Sequence, residues 1–218
     1  MTHNKAHLDE FFRILDPDQR NHLAESPISK SELLDYLSHD ENPSVRCNVA
    51  RNLNTKPEIL DVLSRDENSY IRCGVAQNPN TKSETLDVLS QDGDFYVRRY
   101  VVRHPNTTPK TLDILSKDVD FSVRYGCAQH SNTSPEILDY LSQDKNSVVR
   151  RRVAQNSNTN PETLDYLSQD KSPDIREKVA HNPNYKKKIT VELSSTQHEA
   201  LKKLIASSQD PELRNMTL

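Results

Sequence analysis

The sequence predicts an all-α fold, a solenoid of two-helix units stacked side by side. Three observations predict it. A 26-residue pattern restarts with Asn-Thr at Asn54, Asn80, Asn106, Asn132 and Asn158, and internal repeats of this length are the signature of stacked arrays. Within each copy the apolar residues fall at helical spacing. Only 33% of the 218 residues are apolar and 28% are charged. That supply is thin for a compact sphere but sufficient for an array whose units each bury one face.

Three segments are expected in chain order. Residues 1–40 carry an N-terminal helix and a degenerate capping repeat, "QRNHLAESPISKSELLDYLSHD", in which Arg20 and Leu34 fall on the repeat's columns. His3 and His7 stand four apart there, a spacing that suits a metal on a helix, but no third ligand lies near. Residues 41–184 are the tandem repeats. Residues 185–218 leave the pattern. "KKKITVELSSTQHEALKKLIASSQ" reads as a strand at 189–193, then a helix capped by Thr196 and Glu199 with an apolar stripe of Ala200, Leu201, Leu204 and Ile205. This tail either caps the last repeat or serves dimerisation or DNA contact.

Each repeat reads as two short helices. The first is expected to open on a capping box, Thr55 with Glu58, Thr81 with Glu84, Thr133 with Glu136 and Thr159 with Glu162. Proline follows in the first turn at Pro57, Pro109, Pro135 and Pro161, where its missing N–H costs little. Leu60 and Leu63, with their equivalents, make the buried stripe. The second helix buries Val45, Val49 and Ala50, then Ile71, Val75 and Ala76, at i, i+4, i+5. Helices this short are marginal alone in water, so stacking must close the core. Glycine is nearly absent, three in all. Asn52, Asn78, Asn156 and Asn182 are therefore expected to end the second helices in the left-handed conformation that asparagine tolerates, with His104 and His130 in the same column.

Two charged columns recur. Asp40, Asp66, Asp92, Asp118, Asp144 and Asp170 each precede an arginine by six residues, namely Arg46, Arg72, Arg98, Arg124, Arg150 and Arg176. One charge of each sign per layer predicts a ladder of ion pairs between repeats.

The string "VRxxVAxNPNTxPExLDxLSxD" resembles the leucine-rich repeat variant family, over about three quarters of the chain. The resemblance implies short helices stacked in a right-handed superhelix, a binding architecture related in design to HEAT and armadillo arrays. The tail weakly resembles half of a ribbon–helix–helix module. Some members of the repeat family hold an iron–sulfur cluster on cysteines that precede the repeats. This chain has no cysteine before Cys47, so no cofactor is expected.

With the frame subtracted, the variable positions of the second helix remain. The six segments from Pro43–Asn52 to Pro173–Asn182 carry a net +10, and +4 without the frame arginines. The five first-helix segments, from Lys56–Asp66 to the stretch 160–170, carry −9, and −4 without their frame aspartates. The net charge of −3 hides this asymmetry. If the second helices line the concave face, Arg99, Arg103, Arg151 and Arg152 spread along a groove with Tyr70, Tyr96, Tyr100 and Tyr125 between them. Arginine forks bind carboxylate or phosphate, and tyrosine adds flat contact area. The competing reading is a solvated face whose aliphatic stems cover the core.

The expected function is a non-enzymatic protein-interaction module or scaffold whose basic groove holds an acidic protein or peptide. The alternative is nucleic-acid binding through phosphates along the same groove, helped by Lys186, Lys187 and Lys188. The low net charge weighs against that alternative. No nucleophile–base pair, phosphate loop or paired-carboxylate site stands out. Cys47, Cys73 and Cys127 form no zinc pattern and are expected as free thiols. With no apolar run for a signal or a membrane span, a cytoplasmic location is expected, without a membrane partner.

Overall fold

The computed structural model describes residues 10–12 and 14–185, with the single positions 199, 202, 203 and 205. The chain divides into two compact units, Met1–Tyr185 and Lys186–Leu218. The expected strand at 189–193 and the capping role of Thr196 lie outside the described residues, as do His3 and His7.

The first unit is a stack of paired helices, with no strand among its described residues. The second helices are α1 (Pro17–Glu25), α3 (Pro43–Arg51), α5 (Ser69–Gln77), α7 (Phe95–Val101), α9 (Phe121–Gln129), α11 (Ser147–Gln155) and α13 (Pro173–Ala180). The first helices alternate with them: α2 (Ser31–Leu37), α4 (Pro57–Leu63), α6 (Ser83–Leu89), α8 (Pro109–Ser116), α10 (Pro135–Ser142) and α12 (Pro161–Leu167). Each helix starts 26 residues after its counterpart in the previous layer. The core runs down the middle of the stack. Leu60, Leu86, Leu112, Leu138 and Leu164 from the first helices are fully buried, and so are Val49, Val75, Val101 and Val153 from the second.

The two layers stack differently. Second helices pack directly on one another along the array, whereas successive first helices touch far less. The second helices therefore form the more closely packed layer of the stack. Two glycines mark the close approach. A Cβ on Gly74 would stand 3.1 Å from the Cβ of Ala50, and one on Gly126 would stand 2.5 Å from a methyl of Val102.

Two expectations about helix ends need correction. The threonines are not N-caps. Pro57 occupies the first helical position, so Lys56 is the N-cap and Thr55 lies one residue too early to reach the third amide. Its hydroxyl turns back instead and donates to the Val49 carbonyl at 2.6 Å, as Thr81, Thr107, Thr133 and Thr159 do to Val75, Val101, Cys127 and Val153. Where Thr108, Ser134 and Asn160 stand at the true N-cap, their side-chain oxygens accept from Thr111, Ile137 and Thr163 N–H. Nor do the asparagines adopt left-handed backbone. Asn52 is extended at φ −68°, ψ 128°, and no described residue has positive φ. The side chain is needed for a different job. Asn78 Nδ2 donates to the Ala50 and Asn52 carbonyls of the layer before at 2.8 and 2.9 Å, while its Oδ1 accepts from Asn80 N–H. The column is a hydrogen-bond ladder that satisfies buried helix-end carbonyls between layers.

Candidate functional site

The second helices expose one face each. Tyr96, Arg99 and Tyr100 of α7 and Arg103 in the turn that follows it stand at i, i+3, i+4 and i+7, the spacing of a single helical stripe. Val97 and Val101 fill the opposite, buried side. The same stripe is Tyr70, Cys73, Gly74, Gln77 on α5 and Val148, Arg151, Arg152, Gln155 on α11. All eight sequence-predicted residues therefore fall on one stripe that repeats from layer to layer. Tyr70, Tyr96 and Arg103 are exposed, and Arg99, Tyr100, Tyr125, Arg151 and Arg152 are half-buried.

The frame arginines behave differently, although they are neighbours in sequence. Arg98 Nε and Nη2 grip Asp118 of the next layer at 2.5 and 3.1 Å, and Nη1 donates to the Asp92 carbonyl at 2.7 Å. Arg20, Arg46, Arg72, Arg124 and Arg150 repeat this bidentate pairing with Asp40, Asp66, Asp92, Asp144 and Asp170. The ladder of ion pairs is built as the two columns predict. Burial pushes the Asp66 and Asp144 carboxyls up, but the paired guanidinium and a backbone N–H outweigh it and hold both below the usual carboxylate range. At Asp170 the hydrogen bond from Arg150 lowers the carboxyl directly.

The arginines of the exposed stripe split into three cases. Arg151 pairs with Asp174 of the next layer at 3.3 Å, with both side chains substantially exposed. A neighbouring aspartate thus takes one of the four groove arginines named from the sequence. Arg152 lies over the Tyr125 ring, its guanidinium carbon 4.9 Å from the centroid, and donates to the tyrosine hydroxyl. Arg99 and Arg103 have no side-chain partner among the described residues. The Nε atoms of Arg99 and Arg152 are shielded from water and unpaired. Arg99 stands diagonally across from Gly126, at the offset that joins Tyr125 to Arg152 in the layers beyond, so no side chain answers it there.

The charge changes along the stripe. The early layers offer Cys47, Cys73 and Gly74 with Arg51, the middle layers Arg99, Arg103, Arg151 and Arg152, and the last layer Asp174 and Glu177 beside Lys178. All three cysteines are free. Burial pushes the Cys73 thiol up to about 11, far from a reactive thiolate. Among the described residues no group of three or more His, Cys, Asp or Glu could hold a metal, and no helix is long and apolar enough to cross a membrane.

Sequence reasoning missed part of this surface. At the N-terminal ends of the second helices, Phe121 is 49% and Val148 41% exposed, and the Phe95 ring lies 4.0 Å from that of Tyr96. Val148 was legible, since it shares the column of Tyr70 and Tyr96. The phenylalanines were not, because their column holds Pro43 and Ser69 in the earlier layers.

The array has counterparts among solved structures. The chain is similar to "a leucine-rich repeat variant with a novel repetitive protein structural motif", at 28% identity and a TM-score of 0.64, covering 97% of this chain and 80% of that one. The Escherichia coli protein YibA matches at 19% identity and a TM-score of 0.48, over 73% of this chain and 71% of that one. An archaeal HEAT-like repeats protein from Thermococcus onnurineus NA1 matches at 13% identity and a TM-score of 0.26, over 92% and 93%. No protein-family model and no curated protein matches the sequence.

Proposed function

From the premise that this chain carries the solenoid fold of a leucine-rich repeat variant, we propose that it is a non-catalytic binding array whose exposed second-helix face holds an acidic protein segment. The observation that carries the reading is the contrast between two sets of arginines on the same helices. Each frame arginine from Arg20 to Arg150 holds a carboxylate of its own chain. Arg99 and Arg103 hold none among the described residues, and Arg152 has only a tyrosine. A guanidinium that holds no carboxylate of its own chain gains a charge-assisted bond when one arrives. Tyrosine and arginine are also the residues that dominate binding energy at protein interfaces. The three unpaired thiols fit a reducing, cytoplasmic setting.

Binding to polyglutamate and to duplex DNA, followed across a salt series, tests the proposal. The expected result is polyglutamate binding that disappears in the Arg99→Glu/Arg152→Glu double variant while its helical circular dichroism is retained. Duplex binding at about 50 mM salt, falling steeply as salt rises, would instead assign the face to phosphates. Polyglutamate binding that survives the double variant unchanged would remove the groove as the site.

A further inference from the structure

The exposed second-helix face carries more than charge. Along one edge of the stripe, at the N-terminal ends of α5, α7, α9 and α11, four large apolar or aromatic side chains stand open to solvent. Tyr70 is 72% exposed, Tyr96 50%, Phe121 49% and Val148 41%. Tyr70, Tyr96 and Val148 share one repeat column. In α9 that column holds Ser122, and the adjacent Phe121 supplies the ring. Phe121 is the counterpart of Phe95, whose ring reaches Tyr96 at 4.0 Å. One such residue per layer makes a rim parallel to the line of arginines. Tyr96 and Arg99 are separated by one helical turn, about 5 Å along the axis.

Isolated exposed apolar residues need no explanation, but a run of them beside arginines that hold no carboxylate does. The two features work on each other. Apolar groups seated on the rim exclude water from the neighbouring arginines, and excluding water strengthens every ion pair made there. A polyanion without apolar side chains engages the arginines and leaves the rim wet.

Building on the groove reading above, we infer that the partner is an acidic amphipathic segment whose apolar side chains seat on the Tyr70–Tyr96–Phe121–Val148 rim while its carboxylates reach Arg99, Arg103 and Arg152. Charge complementarity sets the acidic side, and the exposed rings set the apolar one. The rim crosses three layer steps, about 24–30 Å at ordinary helix packing distances. An extended chain of about eight or nine residues spans that length.

Three fluorescent probes of about equal negative charge, two peptides of about 12 residues and an oligonucleotide of about seven nucleotides with one charge per phosphate, test this by anisotropy on the full chain. One peptide alternates glutamate with leucine and phenylalanine, a second alternates glutamate with serine, and the third is a single-stranded oligonucleotide. The apolar peptide is expected to bind at least about tenfold tighter than the serine peptide, the gain of one or two seated side chains. Phe121→Ser/Val148→Ser, at two rim positions that the groove reading does not use, is expected to reduce that difference while leaving the serine peptide's affinity unchanged. Arg99→Glu/Arg152→Glu is expected to abolish both. Equal binding of the two peptides overturns this inference and leaves the groove reading standing. Failure of both peptides overturns the two together. An oligonucleotide that binds as tightly as the apolar peptide overturns the assignment to an acidic segment and points to base stacking on the rings.

Discussion

Arg98 and Arg99 leave the same turn of α7 for two different regions of the molecule. Arg98 enters the ladder along one edge of the stack, where its side chain is 13% and that of Asp118 6% exposed. Arg99 turns to the exposed stripe of the second helices, where no carboxylate meets it among the described residues. Arg150 and its neighbour Arg152 repeat the division in α11, one on Asp170 and the other on a tyrosine. The same residue type is thus structural on one side of a helix and available on the other. What separates them is whether the next layer supplies an aspartate. The fixed Asp column serves every frame arginine up to Arg150, and Asp174, from a variable column, serves Arg151, with Lys178 at 3.9 Å.

Breaking the ladder is expected to have the largest effect. Arg98→Ala leaves Asp118 buried without its counter-charge and removes a bond to the Asp92 carbonyl. A loss of about 3 kcal/mol, read by urea denaturation, is expected for such a pair. Arg99→Ala sharpens the comparison. It breaks no pair, so its cost is expected within about 0.5 kcal/mol. Equal losses from the two would mean that Arg99 also belongs to the frame.

The glycines give a second, smaller contrast within the layer of second helices. Gly126→Ala drives a Cβ into a buried, stiff β-branched Val102 and is expected to cost about 1–3 kcal/mol. Gly74→Ala meets the Cβ of Ala50 at 3.1 Å, with Arg51 Cγ and the Cys47 carbonyl oxygen at ordinary contact distances of 3.5 and 3.7 Å. The gain in helix propensity, about 1 kcal/mol, is expected to leave it near neutral. Thermal melts of both variants decide the point.

Acid separates the two regions last. His104 replaces asparagine in the interlayer ladder, with Nε2 2.9 Å from the Asn78 carbonyl and Nδ1 accepting from Asn106 N–H. Burial, with His130 nearby, lowers its affinity for a proton below the ordinary value of 6.5, despite the bond to Asn78. The unfolded chain then binds more protons, so stability is full above pH 6.5 and declines as pH falls through that value. His104→Asn is expected to flatten this part of the pH–stability curve. The ladder responds lower. Asp66, Asp144 and Asp170 are depressed from 3.8, so their contribution persists above that pH and is lost as pH falls below it. A curve with no slope near pH 6.5 in the wild type would remove His104 as the first acid-sensitive point.

Much of the fold is legible in single letters. The leucines of the first helix and the valines of the second declare their stripes by spacing alone, and each of those stripes is buried. The aspartate and arginine columns declare a ladder because two opposite charges recur with the same period. The helix ends were less legible. Thr55 followed by Glu58 has the form of a capping box, yet proline at residue 57 fixes the start one residue later and sends the hydroxyl to another helix. Asn52 looked like a left-handed terminus and is extended, because the bonding needs of the previous layer outweigh a local preference. For the site, the residue types were legible and their pairing was not. Nothing in the letters tells Arg151, which holds Asp174, from Arg152, which holds Tyr125.

The sequence by itself determined the repeat, the buried stripes, the ion-pair columns and the surplus of cations on the second helices. These are periodic properties, and a period survives in one dimension. The tertiary structure decided which cations are spent within the chain, which rings stand open, and where threonine and asparagine send their hydrogen bonds. Those outcomes depend on what the neighbouring layer places within about 3 Å of a side chain, a distance set by packing between layers some 26 residues apart.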